Sequence, residues 1–412
     1  MNRFSRFAAL SLSAAALTTL TGCLGGHGKY TQEHISLAKE KMSFMKSATE
    51  WDLARQAFLS GDLEKALTKV DGSIAINDTV VKSHVLKGRI LIEMGDLGNA
   101  IKSLQTAETL SPEDPDTHYY LGVVYERLNR PQEALTHFEN ACEFDDYNPG
   151  YAVAAAEMMI DLDQSNQAKR YLDSLPMSAN NAGVQQTLGH ISLINGDPMQ
   201  AELHFRDARL LAPDDTGILE QLIHTQMVNN HFADAERNIA ALLQNFEHKD
   251  RRDLKLLHAK ALMGTQRPVE ARSIYQDLLS QTNGKSDIDA WIGLGNTSYV
   301  INDDRTARRA AARIVAMHPN AHEGYVLWAM VHRRTGDTDK ALTSINDAID
   351  RNNNDPELFA FRAVVQRDLG MFESAISSAS RAVSLDPSNQ SYKTLSMNIR
   401  SSSAVAGVQA ED

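Results

Sequence analysis

Small and apolar residues recur along the chain at fixed intervals, within a unit whose clearest copy runs from residue 81 to 114. The marker positions of this copy are occupied by Gly88, Gly95, Ala100, Leu104, Ala107 and Pro112. This spacing predicts two antiparallel helices, because Gly88 and Ala100 allow the two backbones to approach closely. Gly95 can adopt the positive φ that the turn between the helices requires. Pro112 lacks the N–H of a helical hydrogen bond and therefore ends the second helix.

The unit repeats along most of the chain, with copies that start near residues 47, 81, 115, 149, 182, 216, 252, 288, 322 and 356. The fourth copy is one residue short and carries Asp163 at its turn. Residues of the helix-capping type stand immediately before most of these starts and before residue 390, namely Asp114, Asn148, Asn181, Asp215, Asp287, Asp355 and Asn389. We therefore expect a helix to begin directly after each of them.

The order and spacing of these residues resemble the tetratricopeptide repeat. The resemblance implies an all-α fold, a right-handed α-solenoid of about ten tandem helix-turn-helix repeats over residues 47–389. We expect a polar-faced capping helix over residues 390–400 and a disordered tail over residues 401–412. Before the first repeat, apolar residues recur on one face from Thr31 to Ser47, which predicts a helix that could run straight into that repeat.

The first 22 residues have the features of a secretory signal peptide. An apolar run from Phe7 to Leu20 follows two arginines and is shorter than the roughly 20 residues of a membrane-spanning helix. The next residues, Leu20-Thr21-Gly22-Cys23, resemble the lipobox of bacterial lipoproteins, which implies a lipidated Cys23. Residues 23–46 would then comprise this cysteine, a short tether and the N-terminal helix. By the same resemblance, Leu24 implies the periplasmic face of the outer membrane. The alternative is an ordinary signal peptide with a chance cysteine.

The composition suits an alanine-rich helical repeat protein and narrows the choice of partner. Hydrophobic residues make up 42% of the chain, aromatic residues 6%, and the net charge is −12. A net acidic chain without a basic block argues against nucleic acid as a partner. If Cys23 is lipidated, Cys142 has no cysteine partner within the chain, and its helical position predicts a buried thiol that packs as a small apolar group.

The sequence offers no catalytic or metal-binding constellation. Gly293-Leu294-Gly295 lacks the third glycine of a dinucleotide-binding motif, and Gly284-Lys285-Ser286 lacks the first glycine of a phosphate-binding loop. His318 and His322 are one helical turn apart, but Pro319 breaks the helix that would place them on one face. We therefore predict a protein that is not an enzyme and that binds no metal and no cofactor.

The remaining candidate site is the inner face of the repeat array. The tetratricopeptide resemblance implies that side chains of each first helix line this face as a peptide-binding groove. The predicted groove residues are Trp51, Arg55, Lys82, Arg89, Tyr119, Val123, His190, His224, Lys260 and Asn296. We expect a basic and aromatic surface for a peptide with acidic groups at Arg55, Lys82, Arg89 and Tyr119. The alternative is a solvated inner face with incidental charges.

The lipoprotein signal and the repeats together resemble the bacterial lipoproteins that assist the assembly of Tad and type IV pili. That resemblance implies a scaffold held by its lipid at the periplasmic face of the outer membrane. Its partners would be envelope proteins, such as a secretin or other pilus or secretion components. A scaffold for exopolysaccharide export is the alternative function, and an envelope enzyme is a third class.

Overall fold

The computed structural model describes residues 29–176, 178–281 and 284–409. These residues form twenty-one α-helices and two 3₁₀ turns, and they include no β-strand. The predicted all-α class is therefore confirmed. Within the described part of the chain, no helix combines the length and the apolar character that crossing a membrane requires.

The chain divides into two compact units after Gln164. The first unit contains α1 (Lys29–Leu59), α2 (Leu63–Ile76), α3 (Val81–Glu93), α4 (Leu97–Leu110), α5 (Pro115–Arg127), α6 (Pro131–Phe144) and α7 (Pro149–Asp161). Its helices pack mainly against their neighbours in the sequence, as the repeat pattern predicts.

The second unit begins at Ser165 and has the same arrangement of neighbouring helices. Its helices are α8 (Ser165–Ser174), α9 (Ala182–Ile194), α10 (Pro198–Leu211), α11 (Thr216–Val228), α12 (Phe232–Gln244), α13 (Arg252–Gly264), α14 (Pro268–Ser280), α15 (Ile288–Val300), α16 (Asp304–Met317), α17 (His322–Arg334), α18 (Thr338–Arg351), α19 (Pro356–Asp368), α20 (Phe372–Leu385) and α21 (Gln390–Gln409). The 3₁₀ turns are Ser178–Asn180 and Gly284–Ser286.

From the second pair onward, the first helix of each pair starts where the sequence placed the start of a repeat. These starts are Val81, Pro115, Pro149, Ala182, Thr216, Arg252, Ile288, His322 and Pro356. All seven predicted capping side chains accept a hydrogen bond from a backbone N–H of the helix that follows. Each such cap contributes about 1 kcal/mol relative to alanine, so these local signals fix the starts of the helices.

A large side chain of the second helix lies against a glycine of the first helix in several pairs. A Cβ atom added at Gly88 would lie 2.6 Å from Leu104 Cγ, and one added at Gly122 would lie 2.5 Å from Phe138 Cε1. Ala100, at the matching position of the second helix, is fully buried. The small residues therefore mark the close approach of the two helices, as their spacing predicts.

The two ends of the described chain differ in how well the sequence predicted them. The single helix α1 includes both the predicted N-terminal helix and the first helix of repeat one. Helix α21 continues to Gln409, which corrects the prediction that a disordered tail starts at Ser401. The hydroxyls of Ser401 and Ser402 donate to the carbonyl oxygens of Met397 and Asn398, within a segment free of proline.

One prediction from the sequence concerns each cysteine, and the structure describes only Cys142. Cys142 is partly exposed rather than buried, because it follows the fully buried Ala141 and lies farther round helix α6. The predicted signal peptide, the lipobox and Cys23 lie outside the described residues.

Candidate functional site

In the first unit, helices α1, α3 and α5 enclose a cavity of about 230 Å³. Its lining residues are Trp51, Arg55, Lys82, Val85, Leu86, Arg89, Asp114 and Asp116. Four of the predicted groove residues therefore come together here. The reason is helical spacing, since Trp51 and Arg55 are one turn apart on α1 and Lys82 and Arg89 are two turns apart on α3.

Aromatic rings hold the basic side chains of this cavity. Arg55 Cζ lies 6.0 Å from the ring centre of Trp51, and Arg89 Cζ lies 4.8 Å from that of Tyr120. The indole N–H of Trp51 donates to the carbonyl oxygen of Lys82 at 3.1 Å, which ties α1 to α3. A guanidinium group that stacks on a ring keeps its N–H edge available for a planar anion.

The cations of the cavity have no carboxylate partner. Among the described residues, no ion pair forms at Arg55, Lys82 or Arg89, whereas the neighbouring Lys69 and Lys87 pair with Glu50 and Asp71.

The two acidic residues of the cavity are engaged elsewhere. Asp114 accepts hydrogen bonds from the backbone N–H and the hydroxyl of Thr117 and so caps α5. Asp116 accepts a hydrogen bond from the Tyr151 hydroxyl at 2.9 Å. The cavity therefore combines three cations that form no ion pair among the described residues with two carboxylates bound to neutral donors, whereas the chain as a whole carries −12.

Tyr119 lies beside this cavity, within an aromatic group on α5, α6 and α7. Its ring centre is 5.1 Å from those of Tyr120 and Tyr151 and 5.6 Å from that of Phe138. Burial raises the pKa of the Tyr119 phenol, so at neutral pH its hydroxyl stays protonated and can donate a hydrogen bond. Val123, one turn further along α5, packs against the core of the unit.

Beyond Tyr119 the charge of this surface changes sign, which the sequence analysis did not predict. Burial, with the nearby Asp161 carboxylate, raises the pKa of Glu126. Burial also raises the pKa of Glu157, and the negative charges of Glu126 and Asp161 raise it further. Among the described residues, none of these three carboxylates forms a hydrogen bond or an ion pair. Only Glu157 could have been found by spacing, since it occupies the repeat position of Arg55 and Arg89.

The predicted groove residues of the second unit do not form one site. His190 shares a hydrogen bond of 3.0 Å with Gln221 Nε2, and burial lowers its pKa. The side chains of His224, Lys260 and Asn296 are exposed, and none makes a hydrogen bond or an ion pair with the described part of the chain. The structure therefore brings four of the predicted groove residues together in the first unit and leaves these three positions of the second unit separate.

The second unit has a larger cavity, of about 920 Å³, between α14, α15 and α16. Its lining includes Lys285, Arg309 and Arg313, and Trp291 closes one side. The Trp291 N–H donates to the Lys285 carbonyl oxygen at 3.1 Å. The sequence analysis considered Lys285 only as part of a phosphate-loop motif and missed the arginines, which face this cavity from α16.

Comparisons with known proteins identify repeats in both units of the chain. Family profiles described as tetratricopeptide repeats match residues 88–129, 115–148, 294–356 and 326–390. The chain is 25% identical over 203 residues to anaphase-promoting complex subunit 7 of Dictyostelium discoideum, a match that covers 45% of this chain and 35% of that protein. The match thus spans about a third of the length of this relative.

Two solved structures with a similar arrangement have low TM-scores. Pseudomonas aeruginosa PilF is 15% identical, with a TM-score of 0.37, over 59% of this chain and 94% of that one. Yeast Tom70 is 14% identical, with a TM-score of 0.39, over 84% of this chain and 77% of that one. These likenesses carry no information about function. The profile matches and the helix pairs together show that this all-helical chain contains tetratricopeptide repeats, which are typical of protein-interaction scaffolds.

Proposed function

We propose that the chain is a non-catalytic scaffold whose first unit binds an acidic segment of a partner protein in the cavity between α1, α3 and α5. The observation that carries this proposal is a set of cations that form no ion pair among the described residues, Arg55, Lys82 and Arg89, of which the two arginines lie against aromatic rings. A partner carboxylate would supply the missing acceptor, and hydrogen bonds between two charged groups are about twice as strong as neutral ones.

The change of charge along the surface would also orient the bound segment. Glu126 and Glu157 carry no compensating cation, so they would repel an acidic residue placed beyond Tyr119. The segment that fits best has its acidic residues at Arg55 and Arg89 and neutral or basic residues at Glu157. Tyr119 and Tyr120 would contact the part of the segment between these two ends.

Binding of a fluorescein-labelled decapeptide, with five glutamates followed by five neutral residues, tests the groove by fluorescence anisotropy. Combined Arg55→Ala and Arg89→Ala substitutions should weaken binding at least tenfold, since a hydrogen bond to a charged group contributes about 1.5–3 kcal/mol. Arg170→Ala is the matched control, because Arg170 is exposed and makes no ion pair among the described residues. Equal affinities of the double variant and wild type would exclude the groove as the site.

We also propose that a lipid on Cys23 holds the scaffold at the periplasmic face of the outer membrane, where it assists assembly of a pilus or secretion complex. The support is the lipobox-like Leu20-Thr21-Gly22-Cys23 together with the tetratricopeptide repeats. Two or more acyl chains anchor a protein stably, so no membrane-spanning helix is needed. Envelope proteins such as a secretin would be the partners.

Cell fractionation and deletion test this part of the proposal. Cys23→Ala should move the protein from the membrane fraction to the soluble fraction, and a variant that stays with the membrane would exclude lipid anchoring through Cys23. Deletion of the protein should abolish secretin multimers while the secretin monomer persists. Loss of exopolysaccharide secretion with normal secretin multimers would instead identify an export scaffold.

A further inference from the structure

Three side chains that could bind a metal meet in the first unit, on the helices α4, α5 and α6. They are Glu108, His118 and His137, and their ligand atoms all lie within 4.8 Å of one another. We propose that these residues form a binding site for a divalent transition metal, with Zn²⁺ as the ion that fits best. The two histidines are 19 positions apart, so no short spacing motif marks the site in the sequence.

The distances are close to those of a tetrahedral site. Zn²⁺ ligands lie about 2.0–2.2 Å from the metal, which places neighbouring ligand atoms roughly 3.3–3.6 Å apart. The Nδ1 atoms of His118 and His137 are 3.4 Å apart. Glu108 Oε1 is 3.9 Å from His118 Nδ1, and its side chain is 36% exposed, so a small rotation of that side chain would complete the geometry.

The hydrogen bond of His118 to Pro112 turns its Nδ1 toward the other two ligands, where Nδ1 shares a hydrogen bond with His137 Nδ1 that a bound ion would replace. His118 is 5% exposed, and its Nε2–H donates to the carbonyl oxygen of Pro112 at 2.8 Å. A neutral imidazole that donates from Nε2 carries its lone pair on Nδ1, and Nδ1 is the atom that faces His137 and Glu108. Metal-bound histidines in proteins characteristically donate their second nitrogen to a carbonyl or carboxylate in this way.

Both imidazole rings are held in place by aromatic neighbours. Tyr125 stacks on His137 with ring centres 5.2 Å apart and an angle of 7° between the planes. Phe144 lies 5.3 Å from the His118 ring. The ligands are therefore positioned in advance, which lowers the entropy cost of binding an ion.

Two imidazoles and one carboxylate favour Zn²⁺, Cu²⁺ or Ni²⁺ over Mg²⁺ and Ca²⁺, which prefer oxygen ligands. Three protein ligands leave a fourth position for water or for a ligand from a partner. The ion would join the second helix of one repeat to both helices of the next. Because an ion bound to the folded state stabilises it, Zn²⁺ should raise the unfolding temperature of the first unit.

The test uses the full chain without an affinity tag, stripped of metal with a chelator and titrated with ZnCl₂ by calorimetry. We expect one site that Co²⁺ also occupies, with the visible absorption of a tetrahedral complex. His137→Gln and Glu108→Gln should each weaken Zn²⁺ binding at least tenfold and remove the thermal shift. His224→Gln is the matched control, because it removes an exposed imidazole of the second unit.

Circular dichroism of the metal-free variants establishes that each one is folded, and neither substitution changes a fully buried side chain. Zn²⁺ binding that is the same in His137→Gln and wild type would overturn the proposal, as would the absence of binding at about 100 µM ZnCl₂, where even a weak protein site would fill. Binding that His224→Gln alone abolishes would place the ion elsewhere and overturn it as well.

Discussion

At the scale of single residues, stability depends on a few positions where one side chain fits against the backbone of another helix. Gly122 and Gly88 are such positions, and the repeat spacing identified them because the same contact recurs in successive units. Glu202 is different. Its side chain is charged yet only 2% exposed, because polar groups from the turn after α11 surround it and donate hydrogen bonds to it.

Gly122→Ala tests the close approach of α5 and α6. The added methyl group would lie 2.5 Å from a ring atom of Phe138, which is fully buried and cannot move away. We expect the free energy of unfolding of the first unit to fall by about 1–3 kcal/mol. Urea unfolding followed by circular dichroism measures this change.

Gly98→Ala is the matched control for that substitution. Gly98 lies in α4, and a Cβ atom there would meet no other atom within 4 Å. The higher helix propensity of alanine should therefore raise the free energy of unfolding, by about 0.5 kcal/mol. Equal effects of the two substitutions would show that the contact with Phe138 is unimportant.

The surroundings of Glu202 predict how the stability of the second unit depends on pH. Burial alone would raise the pKa of Glu202, but hydrogen bonds from Asn229, His231 and Arg206 and the charge of His231 outweigh burial and lower it. A carboxyl group whose pKa is lower in the folded state stabilises the fold at high pH. This contribution is fully present above about pH 4.5, the ordinary value, and is lost as the pH falls below it.

We expect Glu202→Gln to lower the free energy of unfolding of the second unit by about 1–3 kcal/mol at pH 7, because the donors around it would lose a charged and buried acceptor. Thermal unfolding between pH 3 and pH 7 should show this difference shrinking below about pH 4.5. Glu247→Gln is the control, since Glu247 is exposed and its side chain makes no hydrogen bond or ion pair among the described residues. A difference that stays constant with pH would contradict the assignment.

At the scale of helices and turns, the sequence predicted the features that depend on interactions between residues close together in the chain. Capping side chains precede most of the first helices from α5 onward, and there the sequence predicted the start to the residue. The starts at Val81, Arg252 and His322 have no side-chain cap and were predicted from the repeat spacing. The turns within the helix pairs were only partly predictable. Five of them, in the described part of the chain, use glycine with φ between 75° and 84°, but Asn129, Asp163, Asn230, Gln266 and Asn302 reach φ of 56° to 63° without glycine. There the packing of the two helices overrides the preference of the single residue.

Gln266→Gly tests this strain. Glutamine is costly at φ 60°, so glycine should raise the free energy of unfolding of the second unit by about 0.5–1 kcal/mol, after its own entropy cost is subtracted. Asn230→Gly is the comparison, because asparagine tolerates a φ of 61° and the gain should be smaller. Urea midpoints of both variants measure the effect. A larger gain at Asn230 would mean that backbone strain does not explain the difference.

At the scale of the whole molecule, the sequence predicted the class of fold and the basic part of the candidate groove. Arg55 and Arg89 were found because they share a repeat position, and so does Glu157. Glu126, and the pair of His118 and His137, could not be found in this way. Their positions matter only because neighbouring helices bring them together, and the distance between side chains on different helices cannot be read from one-dimensional spacing.

The net negative charge of the chain should repel an acidic segment, whereas the cations of the groove should attract it. At about 0.01 M salt the Debye length is about 30 Å, so the net charge of −12 would repel the glutamate-rich decapeptide from a distance. At about 0.15 M it is about 8 Å, and mainly the close contacts with Arg55, Lys82 and Arg89 remain. We therefore expect the affinity to rise and then fall as salt increases, with a maximum at intermediate ionic strength.

Anisotropy titrations from about 0.01 M to 0.5 M NaCl, a range over which the Debye length falls from about 30 Å to a few ångströms, measure this dependence. The combined Arg55→Ala and Arg89→Ala variant should keep the rise, which comes from the net charge, and lose most of the fall, which comes from the groove. A steady decrease in wild-type affinity from the lowest salt upward would mean that the groove attracts the segment at every distance. The acidic composition would then have no part in selecting the partner, and the local arrangement of cations on α1 and α3 alone would determine binding.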